Sequence, residues 1–363
     1  MFVGVCGYGA TGSSAVVGLL KEYPELMVCD KAEIQEAFKV DGLQDLEYHL
    51  VKQYVRFKKS ITYYKTPVVK KTIPPQMYIK AANKFVDSLI QGSWYGIDNI
   101  DYNTGHPLLN FIILLYKKLV FPNYEKLIGH PFDHWPARKM YLSINPEGFY
   151  EKAKCYTDEL IRASGADPEQ TVVFDQVFEG NAPQNCFSFF RDPKAIVVDR
   201  DPRDLWLVSK YARDAKGEAR FMPRQDVKVF VEYYKRIREN QERKDTDRIL
   251  FIRFEDAIYN YDETVKRIEA FLGCENHAEP KKYFKPEISI NNTRLMDRYP
   301  QCKKEIEYIE KMLPVQQMLE EHLIITNVTI TLTDRIGTIT PNLMAITIRV
   351  EANLIKTVSR NLL

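Results

Sequence analysis

No run of this 363-residue chain is both apolar enough and long enough to cross a bilayer. The first 20 residues are small and apolar, but they lack a basic leader and glycines break them up. LLNFIILLYKKLVF, from Leu108 to Phe121, is interrupted by Lys117 and Lys118 and is too short to span, so it reads as a buried helix. Charge of one sign is missing as well: 51 Lys and Arg stand against 49 Asp and Glu, a net of +2. A surface so balanced predicts neither nucleic acid nor any other polyanion as a global partner, and any anion site must be local. The six cysteines, Cys6, Cys29, Cys155, Cys186, Cys274 and Cys302, are scattered and include no C-x-x-C. That pattern predicts reduced, mostly buried thiols in a cytoplasmic protein and calls for no metal. Internal repeats and low-complexity segments are absent too.

What is present is globular: 45% hydrophobic, 28% charged and 12% aromatic residues. Phe2 to Cys6 reads as a buried strand, Ser13 to Tyr23 as a helix and Leu26 to Cys29 as a second strand. TVVF (Thr171 to Phe174), AIVVD (Ala195 to Asp199) and LFIRF (Leu250 to Phe254) are continuous apolar runs, the signature of parallel strands buried on both faces. Helical patterns separate them, over Gly148 to Ala163, Asp204 to Asp214, Gln225 to Asp245 and Asp262 to Leu272. Strands alternating with helices predict an α/β fold: a parallel sheet core with flanking helices. Residues 43 to 140 read as a mostly helical insertion. Residues 324 to 363 read as a C-terminal extension, a possible β-hairpin (VTITLTDRIGTIT) followed by an amphipathic segment. Residues 1 to 323 then form one domain.

The chemistry concentrates in GYGATGSS, Gly7 to Ser14, between the first strand and the first helix. Gly7, Gly9 and Gly12 spell the dinucleotide pattern G-x-G-x-x-G, and Asp30 follows the second strand where a ribose hydroxyl would want an acid. A nicotinamide-dependent oxidoreductase is therefore one reading. A nucleoside triphosphatase is a poorer one, because Ser13 stands where the loop lysine belongs. The third keeps the geometry and drops the triphosphate. The backbone of Gly9, Ala10, Thr11, Gly12, Ser13 and Ser14, with the two serine hydroxyls, would cradle a single phosphate at a helix N-terminus. A second anion site is on offer in AIVVDRDPRDLWLVSKYARD. There Arg200 directly follows a buried strand and Ser209 lies on the next helix.

These segments resemble the sulfotransferases that use 3′-phosphoadenosine 5′-phosphosulfate (PAPS). CGYGATGSSAVVGLL is similar to the family's 5′-phosphosulfate loop, VVDRDPRDLWLVS to its 3′-phosphate motif and FIRFEDAIYNYDETVKRIEAFLG to its C-terminal strand and helix. FKPEISINNTRLMDRYP is similar to the stretch that helps close over the donor, which adds Asn292 and Thr293 to the candidate donor site. The likeness follows the family's order over most of residues 1 to 320 and has a bacterial look. DGLQDLE, Asp41 to Glu47, is similar to members acting on surface glycans, which implies a carbohydrate acceptor. The family implies a P-loop-like sulfotransferase fold, PAPS as co-substrate and no metal. Two departures stand out. Ala10 occupies the place of a basic loop residue, so the charge must come from elsewhere, with Lys31 the nearest candidate. Ser209 lies nine residues past Arg200 instead of eight, about 100° further round a helix. The glycan-modifying members imply a glutamate base a few residues after Pro24, which falls on Glu33. Asp175, after the TVVF strand, is the second candidate, and His130 and His134 come third. A nucleotide-binding homologue that has lost catalysis stays open as a further reading.

Overall fold

In a computed structural model of the chain, residues 1–30, 34–39, 42–52, 55–57, 75–96, 107–129, 138–211, 222–239 and 244–313 are described. Among them are the strands β1 (Phe2–Gly7), β2 (Leu26–Cys29), β3 (Val55–Phe57), β4 (Gly92–Gly96), β5 (Arg138–Ser143), β6 (Thr171–Asp175), β7 (Pro193–Asp199) and β8 (Ile249–Arg253). Five of these build an all-parallel sheet in the order β2-β6-β1-β7-β8. Continuous apolar runs suit it because alternate residues enter two different cores. Phe2 and Cys6 of β1 join Phe174, Val197 and the helix Phe149–Ala163 on one face. Val3 and Val5 join Ile196, Ile252 and the helices Ser13–Leu20 and Tyr261–Leu272 on the other. Each such Val or Ile contributes roughly 1.5–3 kcal/mol through burial.

The first strand is thus the middle of the sheet, with β6 and β7 hydrogen-bonded to its two edges. All five carboxyl ends point the same way, and the loop after β1 opens at that end, where open α/β sheets bind their ligands. A third cluster, around Trp206, Phe230, Tyr234 and Ile309, joins the helices Pro202–Tyr211, Val227–Arg236 and Lys303–Met312 beside it.

Several sequence expectations change. The helix expected over Gln225 to Asp245 ends at Arg236. Phe254 opens a short helix, Phe254–Tyr259, instead of closing β8. The insertion is not only helical, because β3, β5 and β4 pair there as an antiparallel sheet. The helix expected near Leu108 forms over Pro107–Ile128 but is not buried: Leu108 is 73% exposed and Leu119 60%. Its apolar residues are distributed around much of its circumference, so no single neighbouring face would cover them. All six cysteines are free thiols, and five are buried, with Cys155 exposed. Burial pushes the Cys186 thiol up to about 12. No helix among the described residues is long and apolar enough to cross a membrane. The expected hairpin and amphipathic segment of 324–363 lie outside the described residues.

Candidate active site

The loop leaves β1 at Gly7 and enters the helix Ser13–Leu20 through three left-handed residues, Gly9 (φ 82°), Ala10 (φ 55°) and Gly12 (φ 97°). Gly12 is required twice over, by that φ and because a Cβ there would lie 2.4 Å from Phe254 Cδ2. At Gly7 a Cβ would sit 2.1 Å from Thr11 Oγ1, the oxygen that accepts the Tyr8 N–H at 3.3 Å. Ala10, which has a Cβ, costs about 1–2 kcal/mol in this conformation. The helix start carries no side-chain cap and no acid in its first turn. The Ala15 and Val16 N–H groups donate to the Gly12 carbonyl at 3.0 and 3.4 Å, so those of Ser13 and Ser14, which precede the first intrahelical bond, are the ones an anion would take. Ser14 is exposed, while the buried Ser13 Oγ accepts a 2.6 Å hydrogen bond from Gln176 Nε2.

Arg200 stands at the end of β7, beside the loop, since Val198 pairs with Gly7. Its Nη1 donates to the Ala10 carbonyl at 3.1 Å, and its Nη2 donates to the Asn292 carbonyl. The guanidinium lies 5.0 Å over the Phe254 ring, and its buried Nε has no hydrogen-bond partner among the described residues. Burial lowers the Arg200 pKa, opposed by the carboxylates of Asp204, Glu255 and Asp201. The run Arg200, Asp201, Arg203, Asp204 would be an ordinary surface salt-bridge cluster were it solvated, but none of the four is more than 6% exposed. Asp201 takes the Arg203 fork, and Asp204 accepts the backbone N–H groups of Arg294 and Leu295 at 3.0 and 2.8 Å. Glu255 accepts the Asp201 N–H at 2.9 Å, and burial, then Asp201, pushes its carboxyl up to about 7.

Three neighbours of the site were not singled out in the sequence. Arg238, buried, forks onto Asp199 at 2.7 and 3.1 Å and lies 4.0 Å over the Tyr8 ring. Asp199 in turn accepts the Arg200 N–H at 2.8 Å, so one arginine braces both the loop and the end of β7. Glu22, just past the helix Ser13–Leu20, accepts the N–H groups of Lys281, Tyr283 and Phe284 and anchors the segment that runs on to Asn292. Gln176 is the third. A side chain whose partner is remote in sequence leaves no local pattern to detect.

Of the expected site residues, Gly7 to Ser14, Arg200 and the Asn292 carbonyl meet at one end of the sheet. Asp175 ends β6 opposite Val5, half-buried. The Ser209 hydroxyl donates to the carbonyls of Trp206 at 2.7 Å and Pro223 at 3.4 Å, so it is committed within its own surroundings. The Thr293 hydroxyl is likewise engaged, donating to the Ile290 carbonyl at 2.8 Å and lying 2.7 Å from the Tyr259 hydroxyl. Asp30, the acid of the oxidoreductase reading, is ion-paired with Lys21. Lys31, Glu33, His130 and His134 lie outside the described residues. Among the described residues no group of three or more His, Cys, Asp or Glu is arranged to hold a metal ion.

Residues 183–311 match the family model of the sulfotransferase domain. That segment contains Arg200, Arg238, Glu255 and Asn292, and stops short of the glycine loop and Gln176. The sulfotransferase domain of the Synechococcus PCC 7002 olefin synthase is a similar solved structure: 12% identity over 81% of this chain and 87% of that one, with a TM-score of 0.35. A sulfotransferase from Mycobacterium tuberculosis H37Rv is 14% identical over 80% of this chain and 76% of its own, with a TM-score of 0.30. Retinol dehydratase in complex with androsterone and inactive cofactor PAP is 14% identical over 94% and 83%, at 0.28. No curated protein matches the chain.

Proposed function

We propose that this chain, an enzyme of the PAPS-dependent sulfotransferase family, transfers the sulfuryl group to a hydroxyl of a carbohydrate or related acceptor. One observation supports the reading most directly: Arg200, at the end of β7, donates to a carbonyl inside the glycine loop at the end of β1. Two anion-binding elements thus lie within the span of one side chain, as a donor phosphorylated on both its 5′ and 3′ carbons requires. The residues present fit such a donor. The loop passes so close to Thr11 and Phe254 that a Cβ at Gly7 or Gly12 would collide with them, and Arg200 keeps a buried donor, Nε, without a partner among the described residues.

When bound, the donor supplies the sulfuryl group and a phosphate leaving group. The loop N–H groups of Gly9 to Ser14 and the Ser13 and Ser14 hydroxyls hold the 5′ end by preorganised hydrogen bonds, which strengthen as charge builds on the leaving phosphate. Arg200, with Asn292 and Thr293 closing from the other side, holds the 3′ end, and Ser209 stays with the helix that carries it. Lys31 is the candidate for the positive charge that Ala10 does not provide. A carboxylate, Glu33 first and Asp175 second, takes the acceptor's proton. As the acceptor oxygen bonds to sulfur, the sulfur–oxygen bond to the 5′-phosphate breaks and adenosine 3′,5′-bisphosphate leaves.

Labelled PAPS offered with a panel of carbohydrate hydroxyl acceptors tests the reaction, and a thermal-shift panel tests the donor. Adenosine 3′,5′-bisphosphate should raise Tm and NAD(P) should not. The reverse pattern would restore the oxidoreductase reading, and binding without any turnover would leave an inactive homologue. Glu33→Gln should keep donor affinity and lower turnover by about 10²–10⁴. Near-normal turnover in that variant would remove Glu33 from the mechanism.

A further inference from the structure

The loop presents a chemical problem. It must stabilise a leaving phosphate, yet Ala10 and Ser13 stand where related loops carry cations. A side chain from another strand bears on this. Gln176 follows β6 directly and adopts a left-handed conformation, φ 52°, that a β-carbon disfavours. Its N–H still donates to the Val5 carbonyl at 2.7 Å, so the backbone is fixed to β1 at the moment it turns. The side chain then reaches the loop, where Nε2 donates to Ser13 Oγ at 2.6 Å.

We propose that Gln176 is a positioning residue for the 5′ end of the donor: its amide occupies an acceptor lone pair of Ser13 and so directs the Ser13 proton at the donor's 5′-phosphate. A serine hydroxyl has one proton to give and two lone pairs. With a lone pair filled by Gln176 Nε2, the hydroxyl is left to donate, and accepting one bond makes it a better donor in the next. Ser13 sits in the first helical turn with over nine-tenths of its surface buried, so its hydroxyl has few alternatives. A neutral amide does this without adding negative charge beside an anion, which a carboxylate at the same position would do. The inference deepens the PAPS reading and rests on it.

The test uses the full chain and calorimetry with adenosine 3′,5′-bisphosphate and adenosine 3′-phosphate, which lacks the 5′ group. Gln176→Leu and Ser13→Ala should each weaken the bisphosphate about tenfold and leave the 3′-phosphate nearly unchanged. The double variant should be no worse than either single one, because both remove the same bond. Gln176→Glu gives the readout that a packing role would not move. Ionised, it can only accept, so it turns the Ser13 proton away and repels the phosphate. Protonated, it donates as the amide does. Its affinity relative to wild type should therefore recover as pH falls from 7.5 to 5.5, with the ligand's own titration cancelling in the ratio. Additive losses from Gln176→Leu and Ser13→Ala, equal losses for both ligands, or a ratio indifferent to pH would each overturn the proposal. Wild type that fails to bind adenosine 3′,5′-bisphosphate at all would instead overturn the donor reading beneath it. Should Gln176→Leu fold poorly, Ser13→Ala with Gln176→Glu still decides.

Discussion

Arg200 holds two backbone carbonyls and a π face and still has one nitrogen to spare. Arg200→Ala should cost adenosine 3′,5′-bisphosphate about 1.5–3 kcal/mol, a charge-assisted hydrogen bond, and adenosine 5′-phosphate little. Equal losses for both ligands in calorimetry would remove Arg200 from the 3′ site. Glu255 invites a different measurement. Burial and Asp201 raise its carboxyl to about 7, and burial and Asp201 raise Asp204 to about 6. Both lie above the value of about 4 expected in the unfolded chain, so the folded state binds protons more tightly between roughly pH 4 and 7. That contribution is present at the acid end and lost as pH rises through the folded values. Glu255→Gln keeps an acceptor for the Asp201 N–H and removes the ionisation. Its Tm should exceed wild type at pH 8, and the gap should close towards pH 5; a gap independent of pH would mean that Glu255 is not the titrating group. At this scale the sequence was legible where chemistry sits in a contiguous pattern. Arg200 follows a strongly apolar strand and opens a run of alternating charge. Gln176 and Arg238 carry no such mark, because their partners lie 163 and 39 residues away.

Strand runs whose two faces are both buried were readable from composition: β2 falls where expected, and β1, β6, β7 and β8 to within a residue or two. The small antiparallel sheet was not, because GSWYG in β4 is short and bounded by glycines, and nothing in RKMYLS names its partners. The helix Pro107–Ile128 shows the opposite failure, an apolar pattern that promised burial and is exposed. The difference is measurable. Ile112 is 52% exposed and Leu119 60%, so Ile112→Gln and Leu119→Gln should each change stability by less than about 0.5 kcal/mol. Leu20, fully buried at the far end of the helix Ser13–Leu20, should cost about 2–5 kcal/mol as Leu20→Ala. Chemical denaturation of the three variants checks both halves. Comparable losses at the exposed and buried positions would mean that the long helix is covered in solution.

For the molecule as a whole, the near-neutral total conceals a local arrangement. Arg200, Arg203 and Arg238 are buried among Asp199, Asp201, Asp204 and Glu255 at one end of the sheet, so the anion site is built inside a balanced charge lattice, not on a basic surface. All of these groups precede residue 313. A chain ending after residue 323 should therefore bind adenosine 3′,5′-bisphosphate with wild-type affinity, by calorimetry at a single salt concentration. A loss of more than about tenfold would assign the extension to the donor site.

The middle strand of the sheet is synthesised well before either strand that flanks it. Phe2 pairs with Val172 on one side and Pro193 on the other, so neither neighbour of β1 exists until about 170 further residues have been made. At ~5–20 residues per second that is a wait on the order of ten seconds or more, with both edges of an apolar strand unsatisfied. The strand and its phosphate loop are thus made before their partners and completed only after them. Parallel pairings this distant are slow to close. The yield of active protein should accordingly respond to growth temperature, translation speed and chaperone supply, even in variants whose finished stability is unchanged.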